Sequence, residues 1–109
     1  MEAKYLPEFF ESLKKYSSIK NSVDKKIKSL LQSPLGYGEP LKYDLEGLNS
    51  CAVKRNFLII YVYCRECRIK NYQSINSCAD CNETPDETIK FLTIAPHDMA
   101  YKLNPNKFR

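Results

Sequence analysis

The sequence predicts an α+β fold, and three observations carry that prediction. The N-terminal third places apolar residues at helical spacing, with lysines on the opposite side. The C-terminal half contains short runs of β-branched and aromatic residues, which are typical of strands. Four cysteines lie between the last two of these runs. The predicted order is a short N-terminal strand, a two-helix hairpin and an antiparallel sheet of three strands, with a four-cysteine insertion between the last two strands.

Length and charge limit the possible classes of protein. The chain has 109 residues, which suits one domain spanning residues 1–109. The formal net charge of +4 permits an RNA or acidic-protein partner without requiring one. No apolar run is long enough to span a membrane, and the N-terminus lacks the apolar stretch of a signal peptide. We therefore expect a cytoplasmic protein with no membrane association.

The first part of the chain predicts a strand and a helix. Residues 3–6 alternate weakly and suit an opening strand, and Pro7 suits the first turn of a helix. Ser17 and Ser18 can end this helix and cap the next one. The apolar positions that define the first helix are Leu6, Phe9, Phe10, Leu13 and Tyr16.

The second predicted helix has the clearest pattern in the chain. Its apolar residues form one stripe, and lysines cover the opposite face. The helix should end before Pro34, and residues 34–40 have the composition of a loop. The stripe consists of Ile19, Val23, Ile27, Leu30 and Leu31.

Three strands are predicted in the C-terminal half. Residues 50–54 suit a strand, and Asn56 suits the turn that follows. Residues 57–63 are apolar throughout, which favours a central strand buried on both faces. Residues 88–94 form the last strand. In the C-terminal tail, Phe108 is the one candidate for an apolar contact.

The cysteines form the most specific local motif. Cys64 and Cys67 make one CxxC pair, and Cys78 and Cys81 make another after ten intervening residues. Two such pairs can supply four thiolates to one tetrahedral ion, so we expect structural Zn²⁺ bound within an insertion spanning residues 64–81. Two disulfides or one redox-active pair could use the same residues. Cys51 lies outside the motif and is predicted to be a core residue.

Residues 5–15, 47–61 and 91–101 carry a resemblance to the RelE/ParE toxin superfamily of toxin–antitoxin modules. Residues 5–15 are similar to the opening strand and first helix of that family, and residues 47–61 to its paired central strands. Residues 91–101 resemble its closing strand and a His-x-x-x-Tyr ending, and the Pro40-Leu41 dipeptide resembles a turn of the family. The resemblance covers nearly all of the chain except the cysteine segment and the tail.

The resemblance implies a toxin that is held inactive by a small acidic antitoxin similar to RelB. RelE-like members cut mRNA in the ribosome, so mRNA and the ribosome are the expected targets. ParE-like members instead poison DNA gyrase, and a shared fold does not distinguish the two activities. Two other possibilities are a catalytically impaired relative and a small zinc-ribbon protein that binds nucleic acid.

The resemblance also assigns candidate catalytic residues. His97 is the only histidine in the chain and is suited to act as a general acid or base. Tyr101 follows one helical turn later and could orient a phosphate or stack on a base. Lys54 and Arg55, on the central strands, could bind phosphate. Each of these residues could alternatively have only a structural or solvent-exposed role.

One residue departs from the family pattern. The tetrapeptide that usually begins with a phosphate-binding arginine begins here with Leu58. Leucine supplies neither charge nor hydrogen-bond donors, so Arg55 or the arginines of the cysteine segment would have to compensate. Arg65 and Arg68 are accordingly candidates for substrate binding. If no residue compensates, we expect weak or absent nuclease activity, which favours the gyrase alternative.

Overall fold

A computed structural model describes residues 1–76, 78 and 81–103, and it has the predicted α+β architecture. The strands are β1 (Glu2–Tyr5), β2 (Glu39–Pro40), β3 (Asn49–Val53), β4 (Phe57–Tyr63) and β5 (Thr88–Pro96). The helices are α1 (Pro7–Lys15), α2 (Lys20–Gln32), α3 (Cys64–Ile69), α4 (Gln73–Asn76) and α5 (His97–Ala100). Three residues of the insertion, numbers 77, 79 and 80, lie outside the described residues. The contact predicted for Phe108 also lies outside them.

The strands form one mixed sheet in the order β1-β5-β4-β3-β2. Strand β1 pairs in parallel with β5, and the other pairs are antiparallel. The three predicted C-terminal strands are therefore confirmed as an antiparallel meander. The two-residue strand β2 was not predicted, because its segment has the proline and glycine content of a loop. It pairs with β3 at the edge of the sheet, with Glu39 opposite Ser50.

Strand β4 is buried on both faces, as its composition predicts. Ile59 and Tyr61 face a core formed with α1 and α2, whereas Leu58 and Ile60 face a second core. The second core is closed by the segment before β3 and by residues of α3 and α5. The sheet therefore separates a helix-covered face from a face that is only partly covered, and the latter leaves space for a site.

The start of α2 differs from the sequence prediction. A 3-10 turn, Ser17–Ile19, joins the two helices, and Ile19 rather than a serine occupies the N-cap position without a side-chain hydrogen bond. Ile19 is buried in the core beneath the helices. The burial of this apolar side chain determines how the chain enters α2, so the predicted serine cap is wrong.

A buried serine links α1 to the sheet, and its removal should destabilise the fold. Ser12 Oγ donates to the carbonyl of Phe9 (2.8 Å) and accepts from the backbone N–H of Ile94 in β5 (3.0 Å). We expect Ser12→Ala to lower the free energy of unfolding by about 1–3 kcal/mol in urea titrations, because the N–H of Ile94 loses its partner. The matched control is Ser29→Ala on α2, whose exposed hydroxyl bonds only within its own helix. Equal losses in the two variants would contradict this role.

The cysteine insertion folds against the sheet instead of projecting as a loop. Asn49 Nδ2 at the start of β3 donates to Glu66 Oε1 of α3 (2.8 Å), and both side chains are buried. Asn76 of α4 donates to the carbonyl of Gly47 (3.2 Å). Gly47 has a φ of +95°, and a Cβ there would lie 3.0 Å from Asn76 Oδ1. A left-handed glycine therefore permits the close docking of α4.

Among the described residues, no helix is long and apolar enough to cross a bilayer.

Candidate active site

A cavity of about 180 Å³ opens on the partly covered face, near the end of the sheet where β4 begins. Side chains from the loop before β2, from strands β2, β3 and β4, and from α5 converge on it. The cavity is lined by Tyr37, Glu39, Ser50, Ala52, Leu58, His97 and Tyr101. It therefore contains an imidazole, a carboxylate, a hydroxyl and two phenols, which is a set suited to proton transfer and to contacts with nucleotides.

The end of β5 positions His97 and Tyr101 together. Pro96 ends the strand, and His97 begins the single helical turn of α5. The backbone N–H of His97 donates to the carbonyl of Asn56 (2.6 Å), which ties α5 to the β3–β4 turn. The rings of His97 and Tyr101 meet edge to face, with centroids 5.4 Å apart. The spacing in the sequence therefore leads to a direct contact between the two residues at the cavity.

Lys54 and Arg55 lie in the β3–β4 turn and not on the central strands. Both are exposed, and both adopt left-handed backbone conformations, with φ of 56° and 60°. Such conformations favour glycine or asparagine and strain other residues by about 1–3 kcal/mol each. The next residue, Asn56, is the one that binds the backbone of His97. The two cations thus flank the site, although neither lines the cavity.

Leu58 occupies the wall of the cavity. It pairs with Ala52 of β3 and Ala95 of β5, and only 4% of its surface is exposed. The position at which the RelE/ParE resemblance implies an arginine therefore faces the candidate site. In this chain it contributes an apolar surface and no charge.

Four residues that line the cavity are not predicted as site residues from the sequence: Tyr37, Glu39, Ser50 and Ala52. Tyr37 and Glu39 flank Gly38, where a Cβ would lie only 1.8 Å from Tyr61 Oη, so that any larger residue would clash. The buried hydroxyl of Tyr61 also donates to the carbonyl of Pro34 (2.8 Å), and burial raises the pKa of this phenol. The close approach of backbone and tyrosine holds β2 on the sheet edge. The glycines on either side of Tyr37 are the only feature of the sequence that indicates a role for this tyrosine.

Comparison with solved structures identifies the fold. YafQ from Escherichia coli strain BL21(DE3) superposes with a TM-score of 0.63 at 13% identity, covering 92% of this chain and 97% of that one. A YoeB/ParE toxin from Agrobacterium tumefaciens gives 0.62 at 12% identity, covering 89% and 99%. A YoeB–YefM complex from Staphylococcus aureus gives 0.58 at 17% identity, covering 89% and 97%. The chain has the RelE-like toxin fold.

The RelE/ParE resemblance is thus confirmed for the fold. No protein-family model matches the sequence, and no curated protein matches it either. Nearly the whole length of each RelE-like neighbour is covered despite low identity. The chemistry of the cavity must therefore be inferred from the residues that line it.

The arginines of the insertion lie at the other end of this RelE-like sheet. Strand β4 has seven residues, so its two ends are about 20 Å apart. Arg65 forms an ion pair with Glu87 (2.9 Å) and holds the pKa of that carboxyl below its usual value. Arg68 binds Asp86 and the carbonyls of Cys81 and Thr84. The structure therefore does not bring these two arginines to the cavity, and their guanidinium groups tie α3 to the segment before β5.

The four cysteines of the motif also lie away from the cavity. Burial raises the pKa of Cys64 to about 11 and also raises that of Cys67. Hydrogen bonds from Gln73 and Arg68 lower the pKa of Cys81. Cys51 is buried in the helix-covered core as expected, and all five thiols are free of disulfide bonds in the described part of the chain.

Proposed function

We propose that the protein is the toxin of a type II toxin–antitoxin pair, and that it cleaves mRNA on the ribosome without a catalytic metal ion. The observation that carries the proposal is the cavity lined by His97, Tyr101 and Glu39. The RelE-like fold supports the toxin assignment. This function would be carried out in the cytoplasm, where translation takes place.

Cleavage of RNA needs a base and an acid, and the cavity offers one residue for each. In the proposed reaction the 2′-oxygen loses its proton and attacks phosphorus, the bond to the 5′-oxygen breaks, and that oxygen receives a proton. The carboxylate of Glu39 suits the base, and a protonated His97 suits the acid. The products would be a 2′,3′-cyclic phosphate and a 5′-hydroxyl end.

Binding of the RNA requires positive charge and flat surfaces beside these groups. Lys54 and Arg55 supply two charges on the turn whose carbonyl binds His97. Their strained conformations are a reason to assign them a function, since such strain concentrates at functional sites. Tyr37 and Tyr101, both more than half exposed, offer rings on which bases can stack.

We further propose that the partner is a small acidic antitoxin similar to RelB. The net charge of +4 suits an acidic partner. Two of the similar structures are complexes of a toxin-fold protein with a second protein: YafQ with DinJ and YoeB with YefM. A short acidic reading frame beside the gene would support this pairing.

Leu58 favours a second candidate function. A cavity wall without the usual arginine stabilises the developing phosphate charge less well, which is compatible with a gyrase inhibitor of the ParE type or with an impaired nuclease. Gyrase inhibition does not require the acid and base of the cavity.

Induced expression in a bacterial host separates these functions. We expect growth arrest together with mRNA fragments that begin with 5′-hydroxyl ends, while chromosomal DNA stays intact. Coexpression of the acidic partner should restore growth. Growth arrest with intact mRNA and accumulating DNA breaks would refute the nuclease and support the gyrase alternative. Unchanged growth and intact mRNA would exclude both toxin activities.

A further inference from the structure

The four-cysteine motif lies outside the proposed active site, and the fold gives it a defined place. Cys64 and Cys67 are one helical turn apart on α3, so their side chains lie on the same side of that helix. Both are buried, with 7% and 6% of their surfaces exposed. Cys78 and Cys81 follow α4 and are half-buried. The first pair is therefore fixed on the sheet, and the second pair belongs to the segment that returns to β5.

Polar side chains of the insertion donate hydrogen bonds to these sulfurs. Asn76 Nδ2 lies 3.3 Å from the Sγ of Cys67. Arg68 and Gln73 donate to the Sγ of Cys81 at 3.8 Å and 3.7 Å. Donors of this kind support metal-bound thiolates by orienting them and dispersing their charge. An apolar loop that merely buried cysteines would not need three such donors.

Two positive charges lie close to the same group of sulfurs. Arg68 is held on the insertion by Asp86 and two carbonyls, and Lys90 is buried on β5 with 5% of its surface exposed. The guanidinium of Arg68 lies 3.8 Å from the Sγ of Cys81, and the charge of Lys90 acts on the same group of sulfurs. A tetrahedral Zn²⁺ with four thiolates has a net charge of −2, because each cysteine releases its thiol proton to solvent on binding. Lys90 and Arg68 would offset part of that charge, since Arg68 also forms an ion pair with Asp86.

In the described part of the chain, no three histidine, cysteine or carboxylate side chains lie close enough together to hold a metal ion. The returning segment is nevertheless already held on α3, because Arg68 of that helix donates to the carbonyls of Cys81 and Thr84. The buried contacts of Asn49 with Glu66 and of Asn76 with Gly47 hold α3 and α4 on the sheet.

We propose that Cys64, Cys67, Cys78 and Cys81 bind one Zn²⁺ ion between α3 and the returning segment. This inference goes beyond the proposed function, since it concerns the opposite end of the sheet. The ion closes the long connection between β4 and β5 and stabilises it by restricting the unfolded chain. Its role is structural, with no open coordination position for a substrate.

The test uses the full chain, made by cell-free synthesis under reducing conditions with Zn²⁺ present. We expect one zinc per chain by elemental analysis, and a lower melting temperature after removal of the metal with a chelator. Replacement by Co²⁺ should give the visible bands and thiolate charge-transfer absorption of a tetrahedral sulfur site. The double variant Cys78→Ser/Cys81→Ser should lose more than about 100-fold in affinity, which exceeds the effect of outer-shell changes.

Cys51→Ser is the matched control, because this buried cysteine lies in the other core and should leave zinc content and the cobalt spectrum unchanged. A chain that binds no zinc while its four thiols remain reactive would overturn the proposal. Two disulfides found by mass spectrometry in the freshly made protein would overturn it as well. Undiminished zinc affinity in the double variant would show that the ion binds elsewhere and would refute this site.

Discussion

Replacement of His97 by alanine should lower the rate of RNA cleavage by about 10²- to 10⁴-fold, the usual contribution of a general acid or base. His97 lines the cavity and is the only histidine in the chain, so no second imidazole can take over its role. Growth arrest on induction should disappear with the cleavage. The measurements are the rate of cleavage in a reconstituted translation reaction and the mapping of mRNA ends in cells.

The fold should survive this substitution, because the bond that ties α5 to the turn uses the backbone of His97. Tyr101→Phe tests the neighbouring ring and should reduce cleavage less than His97→Ala. Tyr43→Phe is its matched control, since this tyrosine is 92% exposed and does not line the cavity. Full toxicity in a folded His97→Ala protein would mean that the active-site assignment is wrong.

Leu58→Arg should raise the cleavage rate by about 10- to 100-fold. The side chain at position 58 forms part of the cavity wall with His97, so a guanidinium placed there can reach a phosphate bound in the cavity. A charge-assisted hydrogen bond contributes about 1.5–3 kcal/mol, which corresponds to this range of rates. The measurement is the same cleavage assay, with urea unfolding to record the cost of replacing a buried leucine.

Leu58→Met is the matched control, because it preserves apolar volume and adds no charge; it should leave cleavage unchanged. A folded Leu58→Arg protein with unchanged or lower activity would contradict the idea that missing charge limits the reaction. In that case Lys54 and Arg55 would already supply what the phosphate needs, or RNA would not be the target.

The sequence predicted those parts of the fold that depend on periodic burial. Residues 57–63 were predicted as a strand buried on both faces, and β4 has these bounds because every one of its side chains meets one of two cores. Helix α2 likewise follows its apolar stripe. The prediction failed at β2, since two residues cannot establish a period, and at the start of α2, where burial of Ile19 prevailed over a serine cap.

The residues of the candidate site could be predicted only in part, because only some of them are close together in the sequence. His97 and Tyr101 are close in sequence, so helical spacing alone brings them together. Glu39 and Tyr37 reach them through pairing with a strand edge, and this depends on the contact between Gly38 and Tyr61. Arg65 and Arg68 were considered for RNA because of their charge, and their acidic partners in the segment before β5 became evident only in three dimensions.

The parallel pairing of β1 with β5 has a consequence for the way the protein emerges during its own synthesis. Strand β5 lies between β1 and β4 in the sheet. Strand β1 is synthesised first and therefore cannot pair until β5 has been synthesised. Contacts between such distant parts of a chain form late in folding. A nascent chain released before Thr88 lacks the strand that joins the two halves of the sheet, and it also lacks His97. If the proposed function holds, the topology makes a prematurely terminated chain inactive, because an unfinished chain has neither the closed sheet nor the imidazole.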